Sequence, residues 1–292
     1  MVPSKDQASS LDLTARDLAL LRDVWLYRYV TSAHVARLHF GNRRLAQRRL
    51  RRLFRHGLLD RFQGDGGVGV GLRTWWYRLS HIGARVVAAD ASKPVADVRP
   101  PQRSPSSIRF LAHHGLVTDF RLWLREGCEA AEFGYEFVPA YEEVRREGRR
   151  GRRIALAVPG HTRLAVPDGA FAVRKGHASA LFLLEVDRGT EPLTGRHASA
   201  IEHKFTRYRD AFDSGAAEAQ FGGLFGAAFN GFRVLCVVPS GSRAEGFLRV
   251  AETTDLVPLV WVATHDVLAS QGDLAEMCWA TEPDGPLRRL TE

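Results

Sequence analysis

The sequence predicts an α+β protein built from two domains. Short amphipathic segments separated by turn residues come first, and two strand-like segments follow them. Beyond a proline-rich stretch at 91–107 and one helix, further strands come first and then alternate with helices, which is the order of a mixed-sheet layer fold. A chain of 292 residues is long enough for two ordinary domains. We therefore place domains at 11–90 and 108–292 and a linker at 91–107.

Capping signals mark the first two helices. Thr14 and Asp17 have the spacing of a capping box, in which a hydroxyl accepts from a free backbone N–H and the acid suits the positive helix end. Thr31 or Ser32 can cap a second, shorter helix. Gly41 then breaks the chain, so we expect a tight turn after the second helix.

The third helix, predicted at 43–56 after an Asn42 cap, is amphipathic and strongly basic. Its apolar residues form one stripe at helical spacing: Ala46, Leu50, Leu53 and Phe54. Between Arg37 and Arg61 the sequence has nine arginines and one aspartate, a concentration typical of surfaces that bind phosphate backbones. The predicted DNA contacts on this helix are Arg43, Arg44, Gln47, Arg48, Arg51, Arg52 and Arg55.

Two strands and a fourth helix complete the first domain. The strands are predicted at 58–62 and 74–79, and Ser80 can cap a helix at 81–90. Three helices followed by a two-stranded ribbon is the layout of a winged helix-turn-helix domain, with Arg73 at the wing. The loop at 63–73 also contains a G-x-G-x-x-G pattern, but a nucleotide-binding loop must open into a helix, and a strand follows here.

Composition and charge exclude several classes of protein. No apolar run approaches the roughly 20 residues that span a bilayer, and the polar N-terminus predicts no signal peptide. Three widely spaced cysteines predict neither a disulfide framework nor a zinc site, which favours a cytoplasmic protein. Residues 1–90 have a net charge of +9 and residues 91–292 a net charge of −1, so the basic excess belongs to the first domain.

The second domain is predicted to be a mixed sheet with helices. Its predicted elements are a helix at 108–126, a strand at 132–138, a charged hairpin at 142–153, short strands at 154–158, 163–166 and 170–173, a buried strand at 180–186, a helix at 196–212, a strand at 232–238, a helix at 243–252 and a strand at 256–263. The continuous apolar run at 180–186 is typical of a central strand.

Acidic residues in this domain form a candidate metal site. Glu185 and Asp187 are two residues apart on a strand and should face the same side, and Asp168 begins an earlier strand. If they converge, they would bind Mg²⁺, which could activate water against a phosphate. Lys204, one helix later, could reach the same end of the sheet. The alternative is that Asp168 belongs to a common turn and the other two acids pair with arginines.

The chain resembles the replication-relaxation family of plasmid and mobile-element proteins. The matching stretches, within 11–265, are Leu13-Thr-Ala-Arg-Asp17, the basic third helix, Tyr77-Arg-Leu-Ser80, His113-His-Gly-Leu-Val-Thr-Asp119, Pro167-Asp168-Gly169 and Leu184-Glu-Val-Asp-Arg-Gly-Thr-Glu191, with Lys204 and Tyr208 behind them. The resemblance implies a role in plasmid replication and in relaxation, or nicking, of DNA for mobilisation. It also implies a second domain similar to the PD-(D/E)XK nuclease fold.

That nuclease pattern requires an Asp and then Glu-x-Lys on the next strand. Asp168 and Glu185 match it, Asp187 stands where the lysine should be, and Lys204 would substitute from the helix. The resemblance thus implies catalytic roles for these four residues, with the three acids as ligands of Mg²⁺. His113 is followed directly by a second histidine in a helix, unlike the strand motif of rolling-circle relaxases, so we interpret this pair as structural.

The favoured function is binding of double-stranded DNA in the replication or mobilisation of a plasmid or mobile element, or in its control. One alternative is a Mg²⁺-dependent nickase or nuclease, and another is a transcriptional repressor whose second domain dimerises. This interpretation is compatible with two further kinds of partner: a second copy of the chain, and plasmid replication or mobilisation proteins. No membrane partner is expected.

Overall fold

A computed structural model describes residues 12–65, 73–98, 108–146, 149–190, 193, 199–269, 274, 278–282 and 285–290. The chain is a mixed α+β protein, which confirms the predicted fold class. It divides into two compact units, Met1–Leu122 and Trp123–Glu292. No helix within the described ranges is both long enough and apolar enough to cross a membrane.

The first unit begins with three helices that start where the capping residues predict. They are α1 (Ala15–Tyr27), α2 (Ser32–Val35), which continues into a π-helical turn (Ala36–Phe40), and α3 (Arg43–Arg55). Thr14 and Asp17 form the predicted capping box, Thr31 caps α2, and the Asn42 side chain caps α3. Gly41 has a φ of +60°, and this left-handed conformation lets α3 follow the turn directly.

A three-stranded antiparallel sheet and a fourth helix follow. The elements are β1 (Val30–Thr31), β2 (Leu59–Asp65), β3 (Arg73–Leu79) and α4 (His81–Asp90), and the strand order is β1-β3-β2. The Ser80 hydroxyl caps α4 as predicted. Residues 66–72, which include most of the predicted wing, lie outside the described residues. The chain returns from this loop as a strand, and not as the helix that a nucleotide-binding loop requires.

The middle of strand β3 is buried on both faces, whereas its alternating pattern predicts a half-buried strand. Tyr77 packs into the core formed with the helices. On the opposite face, Trp76 is 1% exposed and packs against Tyr29 and Leu111. Leu111 belongs to α5 (Ile108–Ala130), whose part up to residue 122 is counted in the first unit. A helix distant in sequence therefore covers the second face of the strand.

We expect a fragment that ends at Asp90 to be much less stable than one that ends at Leu122. The shorter fragment lacks the part of α5 that covers Trp76, and uncovering a large apolar side chain costs about 1.5–3 kcal/mol. In a domain of this size each kcal/mol lowers Tm by roughly 4–8 °C. Thermal unfolding of the two fragments, followed by circular dichroism, measures the difference. Equal Tm values would show that α5 adds nothing to this unit.

The predicted linker at 91–107 is described only in its first half. Its residues 99–107 lie outside the described part of the chain. The segment Val95–Val98 forms a 3₁₀ turn, and Val98 is fully buried in the core of the first unit. The division between the two units falls within α5, after Leu122.

The second unit is built on a five-stranded mixed sheet. In the order β10-β9-β8-β7-β4, its strands are Val260–Thr264, Phe232–Val238, Ala178–Val186, Gly169–Lys175 and Gly134–Pro139. β8, β9 and β10 run parallel, and β7 is antiparallel to both β8 and β4. The remaining elements are the two-stranded antiparallel ribbon β5–β6 (Glu143–Arg146 and Arg149–Arg152) and the helices α6 (Ser199–Asp213), α7 (Ala216–Phe225) and α8 (Gly241–Thr253).

Three details of this unit differ from the sequence-based prediction. The short strands expected at 154–158 and 163–166 form only one isolated β-bridge, between Leu156 and Ala165, because a turn separates them. The last strand begins at Val260 and not at residue 256, because residues 257–259 form a turn within the apolar run. Helix α7 was not predicted, because adjacent glycines weaken its helical pattern.

Candidate functional site

Helix α3 has one face in the core and an opposite face that is exposed and basic. Ala46, Leu50 and Leu53 are fully buried. Gln47 is half-buried, and the six predicted arginines are exposed: Arg43, Arg44, Arg48, Arg51, Arg52 and Arg55. With about 3.6 residues per turn, these seven residues cover about half of the helix circumference. We call them the basic face of α3.

A further arginine connects α3 to the β2–β3 ribbon. The Arg61 guanidinium lies 4.3 Å from the ring centre of Phe54 on α3 and 4.3 Å from that of Trp75 on β3. It also hydrogen-bonds the Tyr77 side chain. This stack fixes the ribbon beside the basic face, and the sequence analysis did not identify it. Arg73, the eighth predicted DNA contact, is the first residue of β3, and its side chain is outside the description.

One arginine of α3 forms an ion pair with a buried carboxylate. The Arg49 guanidinium donates two hydrogen bonds to Asp17, which is 1% exposed and also accepts from Thr14. Burial alone would raise the pKa of Asp17, but the hydrogen bonds from Arg49 and Thr14 outweigh it and lower that pKa below its ordinary value. The ion pair therefore attaches α3 to the start of α1.

Replacing the neighbours Arg48 and Arg49 by glutamine, one at a time, should have very different effects on the free energy of unfolding. Arg49→Gln leaves the buried Asp17 without its cation and should cost about 3 kcal/mol of unfolding free energy. Arg48→Gln changes an exposed residue, and its effect on the free energy of unfolding should stay within about 0.5 kcal/mol. The lowered pKa of Asp17 means that its contribution is present above about pH 4 and is lost as the pH falls further.

Urea unfolding of both variants at neutral pH and at about pH 3 measures this difference in the free energy of unfolding. The stability gap between Arg48→Gln and Arg49→Gln should narrow at the lower pH. Equal stability of the two variants at neutral pH would contradict the structural role of the Arg49–Asp17 ion pair.

In the second unit, β7, β8 and α6 bring Asp168, Glu185 and Lys204 together. Lys204 Nζ donates a hydrogen bond of 2.5 Å to Glu185 Oε2. Asp168 Oδ2 accepts from the backbone N–H of Val186 at 2.8 Å, which places its carboxylate beside the end of β8. Three of the four predicted catalytic residues therefore lie in one cluster.

Tyr208 completes this cluster. It follows Lys204 by four residues on α6, so the two side chains share a helix face. The Tyr208 hydroxyl donates to Glu185 Oε1. Burial and the charge of Glu185 raise the pKa of Tyr208 well above its ordinary value, so the hydroxyl stays a neutral donor. The sequence analysis named Tyr208 only within the resemblance, although its spacing from Lys204 was the signal that places it here.

Burial governs the charges of the cluster. Glu185 is 8% exposed, and burial raises its pKa to about 7, with Lys204 opposing the shift and Asp168 adding to it. Burial alone would lower the pKa of Lys204, but the two carboxylates outweigh it and raise that pKa. One persistent cation therefore faces two carboxyl groups.

Asp187 lies apart from this cluster. Its carboxylate accepts hydrogen bonds from Arg243 of α8 at 2.6 and 3.0 Å and from the backbone N–H of Gly189 at 2.9 Å. His265 Nε2 lies 2.8 Å from the Asp187 backbone oxygen. Strand β8 ends at Val186, so the alternation that should have put Asp187 on the face of Glu185 stops one residue short.

The predicted Mg²⁺ site requires available carboxylate oxygens. Both Glu185 oxygens accept from side chains, one Asp168 oxygen accepts a backbone N–H, and Asp187 is paired with Arg243. Over the described part of the chain, no group of three His, Cys, Asp or Glu residues is placed to hold a metal ion. The donor set therefore does not fit Mg²⁺, and the Lys204 ammonium occupies the position of a cation beside Glu185.

The adjacent histidines lie in α5, as the sequence predicts. His114 is buried, and its Nε2 hydrogen-bonds the backbone oxygen of Tyr27 at 2.8 Å. Burial lowers the pKa of His114 to about 3, so the ring is neutral at physiological pH. These contacts support a structural role for His114.

The fold and these residues define an α+β protein with a basic helical surface in one unit and a buried carboxylate–lysine cluster in the other. The model of the replication-relaxation family matches residues 18–225, well over half of the chain. The chain therefore belongs to the replication-relaxation family, and membership indicates a role in plasmid or mobile-element replication or mobilisation. The searches of curated proteins and of solved structures found no match.

Proposed function

We propose that this protein binds duplex DNA through the basic face of α3 and acts in that way in the replication or mobilisation of a plasmid or mobile element. The observation that carries the proposal is the row of exposed arginines on a helix whose other face is fully buried. A buried face of this kind prevents the helix from rotating, so the arginines form a fixed surface. Such a surface suits the regular phosphate spacing of a duplex.

The surrounding elements support a winged-helix geometry for this unit. α2 and α3 are joined by the tight turn at Gly41, and an antiparallel ribbon follows α3. In winged-helix proteins the third helix enters the major groove, which is wide enough for an α-helix. The Arg61 stack would hold the ribbon, as the wing, at a constant distance from that helix.

For the second unit we propose a structural role of the Glu185 cluster in place of metal catalysis. A Mg²⁺-dependent nickase would require Lys204 and Tyr208 to release Glu185 before a metal could bind. A transcriptional repressor would use the same DNA surface as the function proposed here. Mapping the bound sites would separate the two, because a repressor binds at promoters and a replication protein at an origin or transfer site.

The test uses the full chain, a labelled duplex and the corresponding single strand at a series of salt concentrations. We expect preference for the duplex and a slope of log K against log salt of about −5, since each of six arginines that neutralises a phosphate contributes about −0.9. Equal affinity for the single strand, or a slope near zero, would overturn the proposal. Incubation of supercoiled plasmid with Mg²⁺ tests the nickase alternative, and we expect no nicked product.

Gln47→Ala and Arg73→Gln are expected to separate base reading from positioning. Gln47 lies within the basic face, and loss of a base contact should cost about 1–3 kcal/mol at the preferred sequence and leave other sequences unaffected. Arg73→Gln at the wing should weaken binding to all sequences alike. Binding to a panel of duplexes measures both effects. A uniform loss for both variants would show that Gln47 reads no base.

A further inference from the structure

One face of the five-stranded sheet in the second unit carries a cavity. The strand register places Val173 of β7, Ala180 and Phe182 of β8, and Arg233 of β9 on this face, because Val173 is opposite Ala180 and Phe182 is opposite Arg233. These four side chains line a cavity of about 190 Å³. The other face of the sheet packs against α6, α7 and α8 in the main core of the unit. The floor of the cavity is therefore formed by regular strands.

The lining of the cavity combines apolar side chains with positive charge. Phe133, Leu274 and Leu290 add to its apolar walls, and two cations, Arg233 and Lys175, are among the lining residues. None of the described residues that line it is acidic. A second cavity, of about 280 Å³, shares Arg233 with the first, and its described lining also contains no acid. Over the described ranges, Arg233 therefore faces no carboxylate in either cavity.

An aromatic ring holds Arg233 in place without neutralising it. The Arg233 guanidinium lies 4.7 Å from the ring centre of Trp261 on β10, which is a cation–π contact. Nε of Arg233 is buried and has no hydrogen-bond partner among the residues that the structure describes. Buried donors without an acceptor are rare in native proteins, and each needs an explanation. Stacking occupies a face of the planar guanidinium, so the N–H groups at its edge are available to an acceptor.

The surroundings of Arg233 favour a bound anion. Burial lowers the pKa of Arg233 below its ordinary value, and the positive charge of Arg288 lowers it further. An anion in the cavity would oppose both effects. A carboxylate is the best match, because its two oxygens accept two parallel hydrogen bonds from the edge of one guanidinium.

The size of the cavity limits the apolar part of such an anion. A cavity of about 150 Å³ lined by apolar side chains is large enough to bind benzene. The cavity of about 190 Å³ therefore has room for one ring, or an aliphatic group of similar size, together with a carboxylate.

We infer that this cavity binds a small organic carboxylate, whose apolar body packs on Ala180 and Phe182 and whose charged group accepts hydrogen bonds from Arg233. Glu185 follows Phe182 by three residues on β8 and lies on the opposite face of the sheet, so this site is separate from the Glu185 cluster. The inference does not depend on the proposed function, because the basic face of α3 belongs to the first unit and the cavity to the second.

The test measures binding of phenylacetate to the full chain by isothermal titration calorimetry, up to about 10 mM because the probe is small. Phenylacetamide has the same ring without the charge, and acetate has the charge without the ring. We expect one saturable site for phenylacetate and about tenfold or more lower affinity for each of the other two, the effect of losing one charge-assisted hydrogen bond or one buried ring. Absence of saturable binding, or equal affinity for either of the other compounds, would overturn the inference.

Substitutions then assign the binding to this cavity. Arg233→Met should lower the affinity for phenylacetate about tenfold or more, to the level of phenylacetamide. Arg233→Lys keeps the charge but loses the paired N–H groups, so its affinity should lie between those of Arg233→Met and the native chain. Ala180→Leu fills the cavity and should abolish phenylacetate binding, although Arg233 is still present. The control Arg163→Met removes an exposed arginine of the same unit and should bind like the native chain.

Circular dichroism of each variant checks that the fold is intact. If Arg233→Met or Ala180→Leu is folded and binds phenylacetate as tightly as Arg163→Met does, the probe binds elsewhere and the inference is wrong. If a variant does not fold, the comparison of phenylacetate with its amide and with acetate on the native chain still decides the question, since it requires no substitution.

Discussion

Replacing Arg44, Arg48 and Arg52 together by glutamine should lower the affinity for duplex DNA about a hundredfold at physiological salt and make the salt slope shallower by about 2.7. Both numbers follow from counterion release. Each neutralised phosphate contributes about 0.9 to the slope, and three such contacts at about 0.15 M salt contribute about two powers of ten to the affinity.

These three arginines were chosen because they form one exposed row, each four residues from the next, on the basic face of α3. Their replacement should leave the fold intact, since exposed substitutions away from caps and ion pairs usually stay within about 0.5 kcal/mol. A matched control removes the same charge from exposed residues elsewhere, with Arg163→Gln and Arg249→Gln in the second unit and Arg85→Gln on α4.

Fluorescence anisotropy at four or more salt concentrations gives both the affinity and the slope. The control triple variant should lose little affinity, because it alters only the general charge of the chain. If the two triple variants lose the same affinity, binding depends on net charge alone and α3 is not the DNA-binding element. A large loss of affinity with an unchanged slope would show a damaged fold, which thermal unfolding would reveal independently.

Local interactions explain why the helix starts could be predicted from the sequence. Thr14, Thr31, Asn42 and Ser80 each accept a hydrogen bond from a backbone N–H two or three residues later. The complete interaction is thus contained in a short segment. The burial of Trp76 could not be predicted in the same way, because the helix that covers it follows about thirty residues later. The alternation of residues within a strand gives no information about such a distant contact.

The candidate sites show the same division between local and distant contacts. The basic face of α3 follows from the helical spacing of one segment, and Lys204 and Tyr208 share a face for the same reason. The partner of Asp187 is Arg243, 56 residues later, and no spacing rule connects them. Arg49 is the same type of residue as its neighbours on α3. Only its contact with Asp17, which the sequence does not reveal, gives it a different role.

Lys204→Met is expected to destabilise the protein by about 3–5 kcal/mol at alkaline pH, where Glu185 is ionised. The substitution keeps the size of the side chain but leaves Glu185 buried beside Asp168 without a cation, and breaking a buried ion pair from one side has this cost. Lys175→Met is the matched control, because Lys175 is exposed. Adding Glu185→Leu to Lys204→Met should recover much of the loss, since apolar residues replace buried ion pairs well.

The pH dependence provides a second measurement of the same cluster. The pKa of Glu185 is raised to about 7 from an ordinary value of 4.5, so the folded protein holds this proton more tightly than the unfolded chain does. Its contribution to stability is therefore fully present below about pH 4.5 and is lost as the pH rises through about 7. Glu185→Gln should flatten this part of the stability profile, and Lys204→Met should steepen it. Parallel profiles of the native chain and Glu185→Gln would contradict the assignment.

Magnesium separates a structural ion pair from a catalytic site. Because Lys204 and Tyr208 already occupy both Glu185 oxygens, millimolar Mg²⁺ should leave the Tm of the native chain unchanged. A metal site predicts the opposite: Tm would rise with Mg²⁺ concentration by mass action, and Asp168→Asn, which keeps the size and removes the charge, would abolish the rise.

Lys204→Met is the sharper variant, because removal of the ammonium opens Glu185 to a metal. If Mg²⁺ stabilises Lys204→Met but not the native chain, the lysine itself excludes the metal. If Mg²⁺ stabilises the native chain as well, the cluster is a metal site and nicking becomes the activity to assay.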